Sequence, residues 1–346
     1  SEMLFDFDDL VIEPAHMSEI RSRKETNPKH LGGYYPLMTA PMDTVIDEKN
    51  YEIFNKHNIL PVIPRITSPG DEWLSNTHFL SYSIDDFERI FLKNDITVPP
   101  LKKVYALIDV ANGHMRALYD LAKTAKEKYG DMLCLMIGNV ANPKTFHEYC
   151  KIGVDYIRIG IGNGNGCLTT VQTGVGYPMA SLIEECYDVK KYLNYEKTNI
   201  VADGGFKKYA DIIKALALGA DYVMLGSILN KALESAGETT NSDGSIVDQY
   251  GTYAWEVFNA DIPLFKVFRG MSTKEVQKEW GKDDLVTSEG IIRTSTVEYT
   301  LDGWVRNFDS YLRSAMSYTG KKELREFIGG VHLNFITQNS FKRFDK

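Results

Sequence analysis

The chain reads as an α/β protein folded as a (β/α)8 TIM barrel with a long lid excursion after the eighth strand. Three observations predict it. Short β-branched and apolar runs alternate with amphipathic stretches, the signature of βα units around a parallel sheet. Eight such runs can be counted, the number that closes a barrel. Four of them end in polar or glycine-rich tails: Asp109-Val110-Ala111-Asn112-Gly113, Gly138-Asn139-Val140, Asp203-Gly204-Gly205 and Gly226-Ser227. In a barrel these ends share one rim, where the βα loops build the active site. Spacing alone also admits a doubly wound open sheet, and each tail taken singly is also an ordinary turn.

The expected strands are Tyr35–Ala40, Ile59–Arg65, Phe79–Ile84, Val104–Val110, Leu133–Val140, Tyr156–Gly162, Asn199–Gly205 and Tyr222–Ser227. Helical patterns lie between them at Arg116–Tyr129, Pro143–Ile152, Pro178–Leu193 and Lys207–Leu218. Pro143 and Pro178 sit where a first helical turn tolerates proline. After Ser227 the rhythm lapses. Leu233–Gln249 is polar and acidic, and Leu264–Met271 is a ninth strand-like run that a barrel has no room for. Residues 230–297 therefore read as an excursion from the rim before a last helix near Leu301–Ser317. Long excursions over a rim often act as lids. The whole of 1–346 is expected to form one domain.

Composition narrows the function. The 346 residues are 43% hydrophobic and 25% charged, enough apolar material for a large core. A net charge of −8 argues against nucleic acid or an anionic membrane as main partner, so a phosphate ligand must be held by local groups. No segment approaches the roughly 18 apolar residues that span a bilayer, and the first residues do not read as a signal peptide. Four cysteines in so long a chain, none in a CxxC pair, suit neither a disulfide framework nor structural zinc, so a reducing cytoplasm is expected.

Cys134, Cys150 and Cys186 fall in a strand or in helical patterns and read as small core residues. Cys167 differs. It follows Gly160-Ile161-Gly162-Asn163-Gly164-Asn165-Gly166, a run with glycine at every second position and no periodicity to bury it. Such a run lets backbone approach a ligand closely, and thiolate chemistry requires exposure. Cys167 thus reads as a nucleophile, against the ordinary reading of a lone cysteine as packing. The run is neither the dinucleotide fingerprint nor a Walker loop. Asp203-Gly204-Gly205 and Gly226-Ser227 look like a phosphate cradle of backbone N–H groups. Asp203 suits ribose hydroxyls or, equally, a helix cap. Glu289, in Thr287-Ser288-Glu289-Gly290, reads by default as a solvated surface carboxylate, and His114 is a weak general-base candidate.

Taken together these residues resemble the family of IMP dehydrogenases and GMP reductases over nearly the whole chain. The motifs that carry the resemblance run in order. They are Pro41-Met42-Asp43-Thr44-Val45, Gly138-Asn139-Val140, the cysteine loop with Thr169, and Thr173–Pro178. Asp203-Gly204-Gly205, Val223–Ser227, Arg269-Gly270-Met271-Ser272, Ser288-Glu289-Gly290 and Arg313-Ser314 with Tyr318 and Gly320 follow. The resemblance implies a barrel that binds a purine 5′-monophosphate beside a nicotinamide cofactor. It assigns Cys167 to attack at purine C2 and Thr169 with Glu289 to proton transfer. Asp203, Gly204, Gly205, Gly226, Ser227, Asn165, Met271, Ser272, Ser288 and Gly290 fall to the nucleotide, and Asp109, Arg65 and Asn112 to the cofactor. Carbonyls around Gly162, Gly164 and Cys167 match the family's monovalent-cation site, typically K+. A homotetramer is implied as well, with Phe327, Phe335 and Phe341 readable as contact surface or core.

Within the family the reductase branch fits better. The length leaves no room for the regulatory CBS modules of dehydrogenases, Asp109–Gly113 and Thr173–Pro178 look like the reductase versions, and no Arg-Tyr pair lies between Met271 and Glu289. GMP reductase using NADPH, with NADH left open, is the expected activity. An IMP dehydrogenase lacking CBS modules, or a relative acting on another purine nucleotide, is the alternative. The chain departs from the family pattern near the nucleotide: Asn165 stands for a serine, Leu168 for a threonine, Thr170 for a basic residue and Val286 for an arginine. Ile63-Pro64-Arg65 replaces Ile-His-Lys.

Overall fold

The computed structural model describes residues 1–65, 78–93, 102–270 and 292–346. Strand β1 (Leu10–Ile12) lies outside the barrel. The barrel strands are β2 (Leu37–Thr39), β3 (Val62–Ile63), β4 (Phe79–Tyr82), β5 (Val104–Asp109), β6 (Leu133–Val140), β7 (Tyr156–Ile159), β8 (Asn199–Asp203) and β9 (Tyr222–Leu225). They form one sheet of eight parallel strands in the order β2-β9-β8-β7-β6-β5-β4-β3. The ring closes where Met38 bridges Leu60, whose amide donates to the Leu37 carbonyl at 3.0 Å. The open doubly wound alternative is thereby removed.

Most strands are shorter than their hydrophobic runs. Glycines at positive φ (Gly160, +126°; Gly204, +99°) turn the tails out of the ladder. Ile84 and Ser227 instead begin short helices, the first capped by the Ser83 hydroxyl. The long helices match their patterns closely. Arg116–Tyr129 buries Leu118, Leu121, Ala122 and Ala125 on one stripe. Pro143 opens its helix under an Asn142 cap, whereas Pro178 stands one position earlier than expected, as the N-cap of Met179–Tyr192.

Strand alternation divides the core in two. One set, including Met38, Leu60, Val62, Phe79, Leu107, Cys134, Met136, Val201 and Met224, fills the barrel interior. The other, with Ile108, Ile137, Ile157, Ile159, Ile200 and Leu225, packs beneath the helices. Continuing the inward-facing alternation toward the C-terminal ends reaches Asp109 after Leu107, Arg158 after Tyr156, and Asp203 after Val201. The layer above the apolar plug is therefore ionic.

The run expected as a ninth strand is β11 (Phe265–Arg269). It joins β10 (Thr239–Thr240) and β12 (Ile292–Thr296) in an antiparallel sheet separate from the barrel. This sheet has its own small apolar cluster, with Leu233, Val247, Ala254, Val257, Leu264 and Val297. Met271 lies outside the described residues. The last long helix spans Leu301–Tyr318, and β13 (Leu333–Phe335) pairs antiparallel with β1. Phe327 is fully buried, while Phe335 is 68% exposed. Among the described residues no helix is long and apolar enough to cross a membrane.

Candidate active site

Two clefts open on the rim at the C-terminal strand ends. The first is lined by Pro41 and Met42, the loop Gly164–Cys167, Asp203–Phe206, Gly226-Ser227 and, from the excursion sheet, Phe268 and Gly270. The second is lined by Arg65, Asp109–Ala111, Asn139, the loop Gly160–Gly164, and Thr169. They meet: Asp109, Arg158, Gly164, Cys167, Asp203 and Gly204 belong to both.

Cys167 is half-buried, in contrast to the three buried cysteines Cys134, Cys150 and Cys186. Its Sγ stands 3.3 Å from Thr169 Oγ1 at the start of the short helix Thr169–Thr173, and its amide donates to the Gly164 carbonyl at 3.0 Å. Neighbouring backbone holds the loop. Asn163 Nδ2 donates to the Tyr177 carbonyl at 3.0 Å. The tail of β8 packs so closely that a Cβ at Gly204 would lie 2.8 Å from the Gly164 amide nitrogen, and one at Gly205 2.9 Å from the Asn163 carbonyl oxygen. Both residues have positive φ, +99° and +87°, so glycine is required on two counts.

The ionic layer lies between the clefts. Arg158 is 4% exposed and ion-pairs with Asp109, whose other oxygen is 3.6 Å from Arg65 Nε. A second, longer pair joins Arg158 to Asp203 at 3.8 Å. Burial pushes the Asp109 carboxyl up, but the Arg158 and Arg65 guanidiniums outweigh it and hold it below the usual carboxylate range. Asp203 goes the other way: burial raises it, against the pull of Arg158 and a hydrogen bond from Asn139 at 2.9 Å. Asp203 is not a helix cap, because the next helix, Tyr209–Leu218, starts after Lys208.

The expected residues are thus only partly gathered. Cys167, Thr169, Asn165, Gly162, Gly164, Asp203, Gly204, Gly205, Gly226, Ser227, Asp109 and Arg65 line the paired clefts. Asn112 does not. It faces His114, accepting from its backbone amide at 3.1 Å, and the His114 ring reaches the Ala141 amide at 2.9 Å. Both residues are thereby occupied in shaping the β5 loop. Met271, Ser272, Ser288, Glu289 and Gly290 lie outside the described residues. Arg158, Asn139, Phe268 and Met42 were given no individual role by the sequence, although Asn139 and Met42 fall within the motifs of the resemblance and Phe268 within the ninth strand-like run. For Arg158 a signal existed, a lone cation inside the apolar strand Tyr156-Ile157-Arg158-Ile159. Among the described residues no cluster of three or more His, Cys, Asp or Glu side chains is set to hold a metal.

Residues 102–344 match the family model described as the IMP dehydrogenase / GMP reductase domain. GMP reductase of Onchocerca volvulus is 28% identical, covering 99% of this chain and 94% of its own length. GMP reductase of Buchnera aphidicola subsp. Schizaphis graminum is 30% identical over 92% of this chain and 90% of its own. GMP reductase 2 of Homo sapiens is 29% identical over 98% and 96%.

Proposed function

Since the chain belongs to the IMP dehydrogenase / GMP reductase family of oxidoreductases, we propose that it converts GMP to IMP and ammonia, with NADPH as reductant and Cys167 as covalent nucleophile. The observation that carries this reading is the meeting of two clefts at one half-buried thiol. A reaction that joins a nucleotide to a second large ligand needs both on one reacting atom, and covalent attachment splits the substitution into two easier steps.

In the first cleft the purine 5′-monophosphate lies with its phosphate against the backbone of Gly205, Gly226 and Ser227 and its ribose toward Asp203. Cys167 Sγ adds to purine C2, and the C2–N2 bond breaks as the amino group leaves as ammonia. That departure requires a proton. Thr169 Oγ1, 3.3 Å from Sγ, is within reach of the same centre, and Glu289 is assigned the acid that supplies the proton through it. The hydride that replaces the amino group at C2 is the chemistry NADPH supplies when bound in the second cleft. Thiolate release from C2 then completes IMP. Arg65 and Asp109 wall the second cleft, and their ion pair keeps both charges fixed beside the transfer.

A monovalent cation, K+, is assigned to the carbonyls of Gly162, Gly164 and Cys167, oxygen donors of the kind such an ion takes. The Gly164 carbonyl also accepts the Cys167 amide, so a cation there would brace the nucleophile's loop. A cytoplasmic homotetramer completes the proposal, supported for the compartment by Cys134, Cys150 and Cys186, which are buried and unpaired.

The test follows nicotinamide absorbance with purified protein. GMP with NADPH is expected to show oxidation of the cofactor and release of IMP, and IMP with NAD+ little or none. Turnover confined to the IMP mixture would assign the chain to the dehydrogenase branch. A preference for another purine nucleotide over GMP would keep the chemistry and change the substrate.

A further inference from the structure

Arg293 lies on β12 directly across from Phe268 of β11. Its guanidinium stacks over that ring, 4.7 Å from the centroid. Phe268 is a wall of the first cleft and sits against Gly166, where an added Cβ would come within 2.7 Å of the ring. From this seat Arg293 reaches the cysteine loop. With its amide oxygen turned to the guanidinium, Asn165 accepts from both terminal nitrogens, at 2.9 and 3.2 Å. Hydrogen bonding selects this orientation, since the reverse sets an NH2 group against two donors. The same amide lies 3.4 Å from Ser227 Oγ. The excursion sheet, through Arg293, and the end of β9, through Ser227, therefore converge on the Asn165 amide of the Cys167 loop.

Among the described residues nothing that Arg293 touches there cancels its charge. Asn165 and Phe268 are neutral, so they hold the guanidinium without neutralising it. Its Nε is buried with no hydrogen-bond partner among the described residues, which is costly unless a ligand completes it. A planar guanidinium matches a phosphate through two parallel N–H donors. With a net charge of −8 the chain has no general field to attract a dianion, so one local cation has a large effect.

We propose that Arg293 is the cationic ligand of a phosphate monoester in the first cleft, and that Asn165 positions it. The inference rests on the nucleotide reading above only for the identity of the group esterified. It also gives the excursion sheet a role in substrate binding, because Arg293 and Phe268 are both supplied by that sheet.

The test compares GMP, guanosine and ribose 5-phosphate by calorimetry on wild type and on Arg293→Ala and Arg293→Lys. Loss of hydrogen bonds to a charged group should weaken GMP about 10- to 100-fold in Arg293→Ala. Guanosine binding should stay unchanged, and Arg293→Lys should fall between. Asn165→Ala should weaken GMP less, and not additively with Arg293→Ala, because it acts through the same guanidinium. On the unmutated protein, GMP and ribose 5-phosphate should protect the Arg293 peptide from phenylglyoxal, and guanosine should not. Equal weakening of GMP and guanosine, or protection by guanosine alone, overturns the assignment while leaving the purine reading intact. Arg293-dependent binding of ribose 5-phosphate without purine selectivity overturns that reading and keeps the phosphate site. A wild-type chain that binds no phosphate ester overturns both.

Discussion

Cys167→Ala is expected to bind GMP within a few-fold of wild type and to lose turnover by at least about 10^4-fold, the scale seen when a covalent nucleophile is removed. The affinity survives because Cys167 is one of many cleft-lining groups, whereas the backbone of Gly204, Gly205 and Gly226 and the side chains of Asp203 and Ser227 remain. The loop should also survive, since the Cys167 amide that donates to Gly164 is backbone and is untouched by the substitution. Steady-state rates with GMP and NADPH, set beside calorimetric affinities, separate the two quantities. Turnover close to wild type would remove the thiol from the reaction.

Asp109→Asn is expected to destabilise the fold by about 3 kcal/mol, because breaking a buried ion pair strands its partner. Arg158, buried at the top of the barrel interior, would keep the longer ion pair to Asp203 at 3.8 Å and a 3.4 Å hydrogen bond to the Gly138 carbonyl, and Arg65 would lose its contact with the Asp109 carboxylate. Urea unfolding gives the value, and a change under about 0.5 kcal/mol would show that the pair carries no net stability. The pH dependence has a definite sign. A carboxyl held below its ordinary value contributes stability that is present above the unfolded value, about 3.9, and is lost as pH falls through the folded one. Asp109→Asn should therefore flatten the acid limb of the stability curve below about pH 4. Asp203 has the opposite linkage: its raised carboxyl gains stability on protonation, so it steepens nothing in that limb.

The barrel was legible because its signals are local. A strand of four apolar residues between two helices announces itself by composition, and Asp203-Gly204-Gly205 marks a turn by its glycines. Cys167 was legible by contrast with three cysteines in periodic surroundings, and all three are buried. The ionic layer was not, although its members come from strands that were identified correctly. Arg158, Asp109 and Asp203 become neighbours only when the inward-facing positions of β5, β7 and β8 are stacked in register, which depends on barrel closure. Arg293 was further from reach. Its contact with Asn165 joins residues brought together by the pairing of β11 with β12, and nothing in the local run Ile292–Thr296 distinguishes it from an exposed strand. Asn165 itself stood out only as a departure from the family's serine. The structure shows it occupied by a guanidinium, which turns a substitution into half of a pair.

The proposed reaction turns on a bond between Cys167 Sγ and purine C2. Protein mixed with GMP labelled in the purine ring, denatured with acid within one turnover and digested, gives a direct reading by peptide mass. Label is expected on the peptide that contains Cys167, with the mass of the nucleotide less ammonia, and is expected to be lost when NADPH precedes the quench. Turnover of GMP with no label on that peptide at any time would contradict it.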